Sequence, residues 1–522
     1  MHSLKIVLAL IRGSTVAFTA LLLTACNQIG PTIEAEYSNE YGLEMFETGY
    51  RFISDRYILP VSLRHLSFSG LSSLHKIDPK IDVRPNGRDI EVLYQNLTVG
   101  RLTAPRNDAP KAWSKATVDA ISIARNTSPS LAGVQAEILF KAVFDGVLYP
   151  LDKFSRYDDA ETANEKRAYR DGFGGIGIKI TKDEEDALIM SVIEGGPAAK
   201  AGVRPLDRIT HIEGDSITDW TQRQLVDALR GPINSMVTFT VTRKAIPAPI
   251  GIEITRQHVV PETVEVRRDG NIAIMRLSGF NIHSARELQR AIKRQIHNPD
   301  SQPTGFVLDL RSNPGGRLDV SIDVADIFLG SGEITVTRGR HPGSRQAYKA
   351  SRGDETGQRP IIILINGNSA SASEIVTAAL QDHGRAVVIG TNSFGKGSVQ
   401  SVLRLPNSGE ITLTWSRFLA PSGYRLHELG ILPNICTHGG GLKSADALMP
   451  AVRDDQNIIA AQLSDWRATG NNDTADRAAL RRICPSDDGL PDIDMALAKA
   501  VIGDMDLYAS LLRRSDTTLA HR

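Results

Sequence analysis

The stretch Ile361–Gln400, IIILINGNSASASEIVTAALQDHGRAVVIGTNSFGKGSVQ, decides how the rest of the chain is read. It opens with five apolar residues, Ile361 to Ile365. A run that short and that apolar suits a strand buried on both faces. A turn follows at Asn366, Gly367 and Asn368, and then serines at alternate positions, Ser369, Ser371 and Ser373. From Ala372 the apolar residues recur at Ile375, Val376 and Ala379, one face of a helix. A serine therefore sits where a buried strand turns into a helix, beside unpaired backbone N–H groups and the positive end of the helix dipole. A second strand, Ala386 to Gly390, leads into a glycine-flanked lysine, Gly395-Lys396-Gly397. Lysine is a poor base at its free pKa of ~10.4, but burial disfavours its charged form. A neutral amine near a serine can take its proton and create a nucleophile. Alone, such a serine reads as a helix cap and such a lysine as a solvated side chain. The residues by themselves do not choose among Ser369, Ser371 and Ser373.

The chain has 522 residues, enough for roughly two to four domains. Its 60 Lys and Arg balance 60 Asp and Glu, so nucleic-acid binding has no electrostatic support. With three cysteines, no Cys-x-x-Cys, no His/Cys cluster of metal spacing and no Walker-type loop, neither a metal nor another cofactor is expected.

Residues 1–26 read as an export signal. Lys5 and Arg12 give a basic start, and Val16–Leu23 is mostly apolar yet too short to span a membrane. The segment ends in Leu23-Thr24-Ala25-Cys26, which resembles the lipobox of bacterial lipoproteins. That resemblance implies a lipid on Cys26 as the new N-terminus, tethering an otherwise soluble chain to the cell envelope on its periplasmic side. Asn27 in place of aspartate favours the outer membrane by the same analogy.

Residues 27–171 read as mainly helical. Leu43, Phe46, Tyr50 and Ile53 keep a helical period within Tyr41–Tyr57, and Leu131–Leu148 carries a second such pattern. Asp78–Asp108, with several Pro, Gly and Asp, reads as loops or short strands. Residues 172–243 resemble a PDZ domain. The resemblance rests on Gly174-Gly175-Ile176-Gly177-Ile178, then Gly196-Pro197-Ala198-Ala199-Lys200-Ala201-Gly202-Val203, then Leu206-Asp207-Arg208-Ile209. Ile176, Ile178 and Ile180 alternate as in a strand, and Thr218–Leu229 fits a short helix with Leu225 and Leu229 on one face. Such a domain adds a peptide as an extra strand and holds its terminal carboxylate on backbone N–H groups of a Gly-rich turn. Glycine is needed because a side chain would block that approach. Gly175, Ile176, Gly177, Ile178 and Leu225 are the expected peptide-binding residues. Hinges near Asp171 and Arg243 would let the unit swing as a rigid body and gate activity.

Residues 244–437 read as an α/β domain. Strand Ile272–Leu277, amphipathic helix His283–Ile296, buried strand Gly305–Leu310, the loop Arg311-Ser312-Asn313-Pro314-Gly315-Gly316 and helix Asp319–Leu329 alternate accordingly. Ile411–Phe418 adds a strand. Residues 438–522 are mostly helical in pattern, with no readable role.

SASASEI, QDHGRAVVIG and SFGKGSVQ, followed by Pro421-Ser422-Gly423 and Gly430–Ile435, resemble the C-terminal processing (tail-specific) peptidases, collinearly over about residues 150–435. The resemblance implies an α/β catalytic domain with a crotonase/ClpP-like strand–helix core, an inserted PDZ domain and helical N- and C-terminal regions. It implies a serine endopeptidase cleaving proteins with exposed C-terminal tails, some relatives working with an adaptor lipoprotein. The family nucleophile falls on Ser371, the general base on Lys396, and the glutamine that orients the lysine on Gln400. The oxyanion hole falls on the N–H of Ala372 and of Gly315 or Gly316, with the family pattern favouring the first glycine; the chemistry wants two such donors. Leu151-Asp152-Lys153-Phe154-Ser155-Arg156-Tyr157 resembles the family's L-D-P-H-S-x-Y with Lys-Phe replacing Pro-His, a replacement expected to touch no catalytic position. An inactive PDZ scaffold is the alternative, disfavoured by intact Ser371, Lys396 and Gln400. A Ser-His-Asp hydrolase using His383 and Asp309 is a third reading, but nothing places a histidine near Ser371. Cys436 and Cys484 could pair in a compartment that permits disulfides.

Overall fold

The apolar run Ile361–Ile365 is a strand with all five residues buried. In the computed structural model it lies inside a six-stranded sheet. The strand order is Val264–Asp269, Ile272–Leu277, Gly305–Asp309, Ile361–Ile365, Val387–Gly390, Ile435–Cys436. The first pair is an antiparallel hairpin and the other four pairings are parallel. The structure describes residues 36–299, 301–351, 353–439, 444–453, 460–468 and 474–516. The export signal and Cys26 lie outside them.

Side chains alternate across a strand, so both faces of this sheet need cover. Phe306, Leu308, Ile361, Ile363 and Ile365 share one core with Leu288, Val324 and Val376. These come from helices Ser284–Ile296, Leu318–Asp326 and Ala372–Asp382. Val307, Ile362, Leu364 and Ile389 share another core with Leu448, Val501 and Tyr508. Those come from helices Ala445–Arg453, Pro491–Gly503 and Met505–Asp516. The region beyond 438 thus supplies one face's cover. It is also stapled to the sheet by a disulfide between Cys436, on the last strand, and Cys484.

A second, antiparallel sheet runs Gln346–Lys349, Glu333–Arg338, Glu410–Leu419, Ser398–Arg404. A short strand, Arg156–Asp158, pairs with Glu410–Leu419 and brings the end of the N-terminal region to the catalytic half.

In that N-terminal region, helix Asn39–Arg56 starts where Ser38 Oγ accepts the Tyr41 N–H at 3.1 Å. Helices Leu63–Ser72, Pro110–Thr127 and Ala136–Leu148 complete the bundle around Phe46, Trp113, Phe140 and Phe144. The pattern read as one helix over 131–148 is two, Pro129–Ala132 and Ala136–Leu148, broken after Gly133. The stretch 78–108 forms a three-stranded antiparallel sheet.

The PDZ-like unit orders its strands Ile246–Thr255, Met236–Arg243, Arg208–Ile212, Ala187–Val192, Ile178–Lys182. A boundary at 243 would cut between two paired strands, so the unit runs to Thr255. Its helix is Gln222–Leu229, shorter than expected because Thr221 caps it in a reciprocal box with Gln224. A ribbon of Phe173–Gly175 paired with Gln257–Val259 forms both chain crossings into the unit. Among the described residues, no helix is long and apolar enough to cross a membrane.

Candidate active site

The three serines separate by burial. Ser369 and Ser373 are fully buried. Ser369 Oγ donates to Leu310 O at 2.8 Å, and Ser373 Oγ donates to Asn313 O at 2.9 Å. Ser371 between them is half-buried, at the N-cap of helix Ala372–Asp382. Its φ of 56° lies in the region that side-chain-bearing residues rarely adopt, the kind of strained turn that is held only by over-determined surroundings.

Glu374 supplies much of that hold. It stands three residues into the helix and is 1% exposed. Its Oε2 accepts the N–H of Ser371 at 2.7 Å and the N–H of Lys396 at 2.9 Å. Its Oε1 accepts Ser393 Oγ at 2.6 Å and the Gly395 N–H at 2.7 Å. One carboxylate oxygen thus joins the serine turn to the lysine loop. Burial pushes the Glu374 carboxyl upward, against the four donors. Because every partner arrives as an N–H or O–H, the geometry is that of an ionised carboxylate. The sequence reading passed over Glu374, although S-x-x-E is the pattern of a capping box.

Lys396 Nζ donates to Gln400 Oε1 at 3.2 Å, and Gln400 Nε2 donates to Phe154 O at 2.8 Å. The Phe154 ring centroid lies 5.3 Å from Lys396 Nζ. The Lys-Phe replacement therefore does touch the candidate base and its neighbour, contrary to expectation. Burial, helped by repulsion from Arg156, pushes the Lys396 amine down to about 8, while Glu374 and Asp152 oppose the shift. From the C-terminal region, Arg481 donates to Leu429 O at 2.8 Å and to Ser393 O at 3.3 Å, clasping the loop that carries the lysine.

Gly315 packs directly on the serine turn. With φ at +99°, a Cβ there would lie 2.7 Å from Ala370 O and 2.9 Å from Ala372 N, so only glycine fits. The Gly315 N–H donates to Asn313 Oδ1 at 2.9 Å. Gly316 forms an isolated parallel bridge with Phe280. Ala372 begins its helix, where the first N–H groups have no intrahelical acceptor.

His383 and Asp309 are not brought to Ser371. His383 sits at the far end of helix Ala372–Asp382, hydrogen-bonded to Glu333 O at 2.7 Å, roughly 17 Å along the axis by helical rise. Asp309 is paired with Arg311 at 2.6 Å. Among the described residues, no group of three or more His, Cys, Asp or Glu could hold a metal ion.

Between the PDZ-like unit and the residues that follow it, a cleft of about 520 Å³ is lined by Gly175, Ile176, Gly177 and Ile178, by Val226 and Leu229 of the helix, and by Val259, Pro261 and Val264 from the other side. Leu225 does not line it. It is fully buried among Ile209, Val237 and Phe239, because one residue along a helix turns the side chain by ~100°.

Comparison with known proteins agrees with this organisation. Residues 271–437 match the family described as Peptidase family S41, and residues 174–254 match the PDZ domain. The chain is 44% identical over 299 residues to a carboxy-terminal-processing protease of Bartonella bacilliformis, covering 57% of this chain and 69% of that one. It is 33% identical over 304 residues to a protein of Staphylococcus aureus (strain COL) named "Probable CtpA-like serine protease", covering 57% of this chain and 60% of that one. A solved photosystem II D1 C-terminal processing protease aligns with 76% of this chain and 92% of its own, at a TM-score of 0.36 and 21% identity. With a serine turn and a lysine loop joined through one buried carboxylate, and a relative at this level of identity, the chain belongs to the carboxy-terminal-processing proteases of peptidase family S41, serine peptidases, and carries a PDZ domain.

Proposed function

We propose that this chain is a cell-envelope endopeptidase that cleaves proteins at or near their C-termini, with Ser371 as nucleophile and Lys396 as its base. The carrying observation is Glu374 Oε2, which accepts the backbone N–H of both residues and so ties the turn of a strained, reachable serine to the loop of a desolvated lysine. The neutral Lys396 amine takes the Ser371 Oγ proton as Oγ attacks the scissile carbonyl, then gives a proton to the leaving amine. The Ala372 N–H and a glycine N–H meet the oxygen that becomes negative. Gly315 is that glycine by family pattern, and its N–H exchanges Asn313 Oδ1 for the substrate. Gln400 orients Lys396 and takes no proton. Water then releases the acyl group with the same lysine as base. The parallel core covered by helices on both faces supports a crotonase/ClpP-like reading of the catalytic domain.

Substrate tails pair along the free edge of Ile178–Lys182, with their carboxylate at the turn Gly174–Gly177. The ribbon of 173–175 and 257–259 is the hinge on which the unit gates the site. A lipid on Cys26 anchors the enzyme at the envelope, at the outer membrane in preference to the inner, and an adaptor lipoprotein is a candidate partner.

Ser371→Ala and Lys396→Ala should each abolish cleavage of an unfolded protein substrate while retaining the wild-type circular dichroism spectrum. A serine-directed phosphonate should label wild type and not Ser371→Ala. Wild-type turnover in Ser371→Ala would overturn the assignment.

A further inference from the structure

Phe154 belongs to a built turn. Asp152 Oδ1 accepts the N–H of Phe154 at 2.8 Å, the N–H of Ser155 at 3.1 Å and Thr414 Oγ1 at 3.0 Å. Ser155 Oγ donates to Asp152 Oδ2 at 2.7 Å and accepts the Thr414 N–H at 3.2 Å. The turn is thereby fastened to strand Glu410–Leu419, next to the strand that carries Gln400. The residues that match the family pattern, Asp152 and Ser155, do the fastening. The replaced pair, Lys153 and Phe154, is the tip presented to the lysine.

At that tip the backbone carbonyl of Phe154 receives Gln400 Nε2, and the ring faces Lys396 Nζ. The ring also meets His427 edge-on at 6.0 Å between centroids, and Lys153 Nζ lies 5.1 Å from its centre. We infer that Phe154 is a positioning residue for the base: its carbonyl aims Gln400, its ring keeps water from the Lys396 amine, and the side chain at 154 sets how readily that amine gives up its proton. This rests on the reading of Lys396 as the base.

Two effects of the ring oppose each other. Excluding water favours the neutral amine, whereas the negative ring face favours the ammonium. At 5.3 Å the ammonium is near the outer limit of that attraction, roughly 6 Å, so the exclusion of water by the ring is expected to outweigh it. The charged groups facing Lys396 are Arg156 from the short strand, Asp152 from the turn and Glu374 from the helix. Lys153 lies on the same ring, and His427 is neutral near pH 7 because burial pushes it down to about 4. Substitutions at 154 leave Arg156, Asp152 and Glu374 in place, and Phe154→Ala and Phe154→Leu both remove the ring contacts with His427 and Lys153.

The test compares Phe154→Ala, Phe154→Leu and Lys396→Ala in the full chain, following kcat/KM for a quenched-fluorescence unstructured peptide between pH 6 and 10.5. Phe154→Ala should move the midpoint of the rising limb up by about one pH unit. That is about tenfold slower cleavage at pH 7, with the high-pH plateau within about twofold of wild type. Phe154→Leu restores apolar cover without a ring face and should return the midpoint to the wild-type value or below. A merely structural role would lower kcat/KM equally at every pH with an unmoved midpoint, and that result overturns the inference. So would a midpoint that rises equally in Phe154→Leu. Should Phe154→Ala fail to fold, the Lys396 titration is read directly by NMR of the isotope-labelled amine side chain in Ser371→Ala and Ser371→Ala/Phe154→Leu proteins. A Leu midpoint more than half a unit above the Phe midpoint refutes it. Wild-type cleavage by Lys396→Ala would instead sink the reading of the base, independently of residue 154.

Discussion

Glu374→Gln removes one charge and almost no volume, so its effect isolates the carboxylate. The two oxygens take four donors, two each, all within 2.9 Å. An amide offers one oxygen and an NH2 group that only donates. Placed where Oε2 was, the NH2 confronts the N–H of both Ser371 and Lys396. Placed where Oε1 was, it confronts the N–H of Gly395, while Ser393 Oγ can turn to accept. The second placement is cheaper and still orphans one buried N–H, at ~1–3 kcal/mol. The remaining bonds lose their charge assistance, at about 1 kcal/mol each. Relief from burying an ion returns part of that. We expect a net loss of about 2–4 kcal/mol, read as a lower urea midpoint at unchanged slope. The Ser371 backbone should relax from its positive φ, and kcat/KM should fall at least ~100-fold, the scale of mispositioned catalytic groups. Residual activity should have its midpoint below that of wild type, because the carboxylate that favours the lysine's charge is gone. An unchanged urea midpoint together with kcat/KM within about threefold of wild type would refute the four-donor argument.

Lys396→Met should stabilise the protein at neutral pH. The lysine falls from 10.5 to about 8 on folding, so the unfolded chain binds more protons between those values. Wild-type stability therefore rises from pH 8 to about 10.5 and the variant's does not, a difference of up to about 3 kcal/mol at pH 7; parallel urea midpoints across that window would contradict it. Reducing the Cys436–Cys484 bond opens a 48-residue separation and should cost about 4 kcal/mol by loop entropy, seen as a lower melting temperature with reductant in wild type and not in a double Cys→Ser variant. Gly315→Ala should cut activity at least ~100-fold, because the added carbon meets Ala370 O and Ala372 N; wild-type kcat/KM would argue against close approach of this loop to the serine. His383→Ala should keep the rising pH limb and lose about 1 kcal/mol with its bond to Glu333; loss of the limb would restore a serine–histidine reading.

Much of the catalytic domain was legible because its signals are local. The isoleucine run declares burial on both faces by composition alone, but it does not say what covers the second face. That cover arrives from helices beyond residue 444, whose own patterns are ordinary. The choice among three serines was not local: it depends on the carbonyls of Leu310 and Asn313, about sixty residues earlier, which capture Ser369 and Ser373. Glu374 was passed over, although half of its role, the reach back to Ser371, follows a local pattern; its other donors lie around residue 395. Phe154 could not be assigned from sequence, since nothing in a turn near residue 150 announces a lysine near residue 400. The end of the PDZ-like unit was missed because the motifs that mark it stop well before the last strand, which carries Pro247 and Pro249. They are tolerated in Ile246–Thr255 because that strand is at the sheet edge.

The clasp of Arg481 on the lysine loop has a consequence for the timing of synthesis. Ribosomes and export channels deliver a chain N-terminus first. Ser371 and Lys396 emerge well before Arg481, which bonds Ser393 O and Leu429 O, and before Cys484, which closes the bridge to Cys436. During that interval the hydrolytic side chains exist, but the loop between them lacks its clasp and one face of the central sheet lacks its helices. A half-delivered chain is therefore expected to be unarmed. Arming would wait for the last tenth of the chain, so a protein stopped before Arg481 should be an unfinished fold that cleaves nothing.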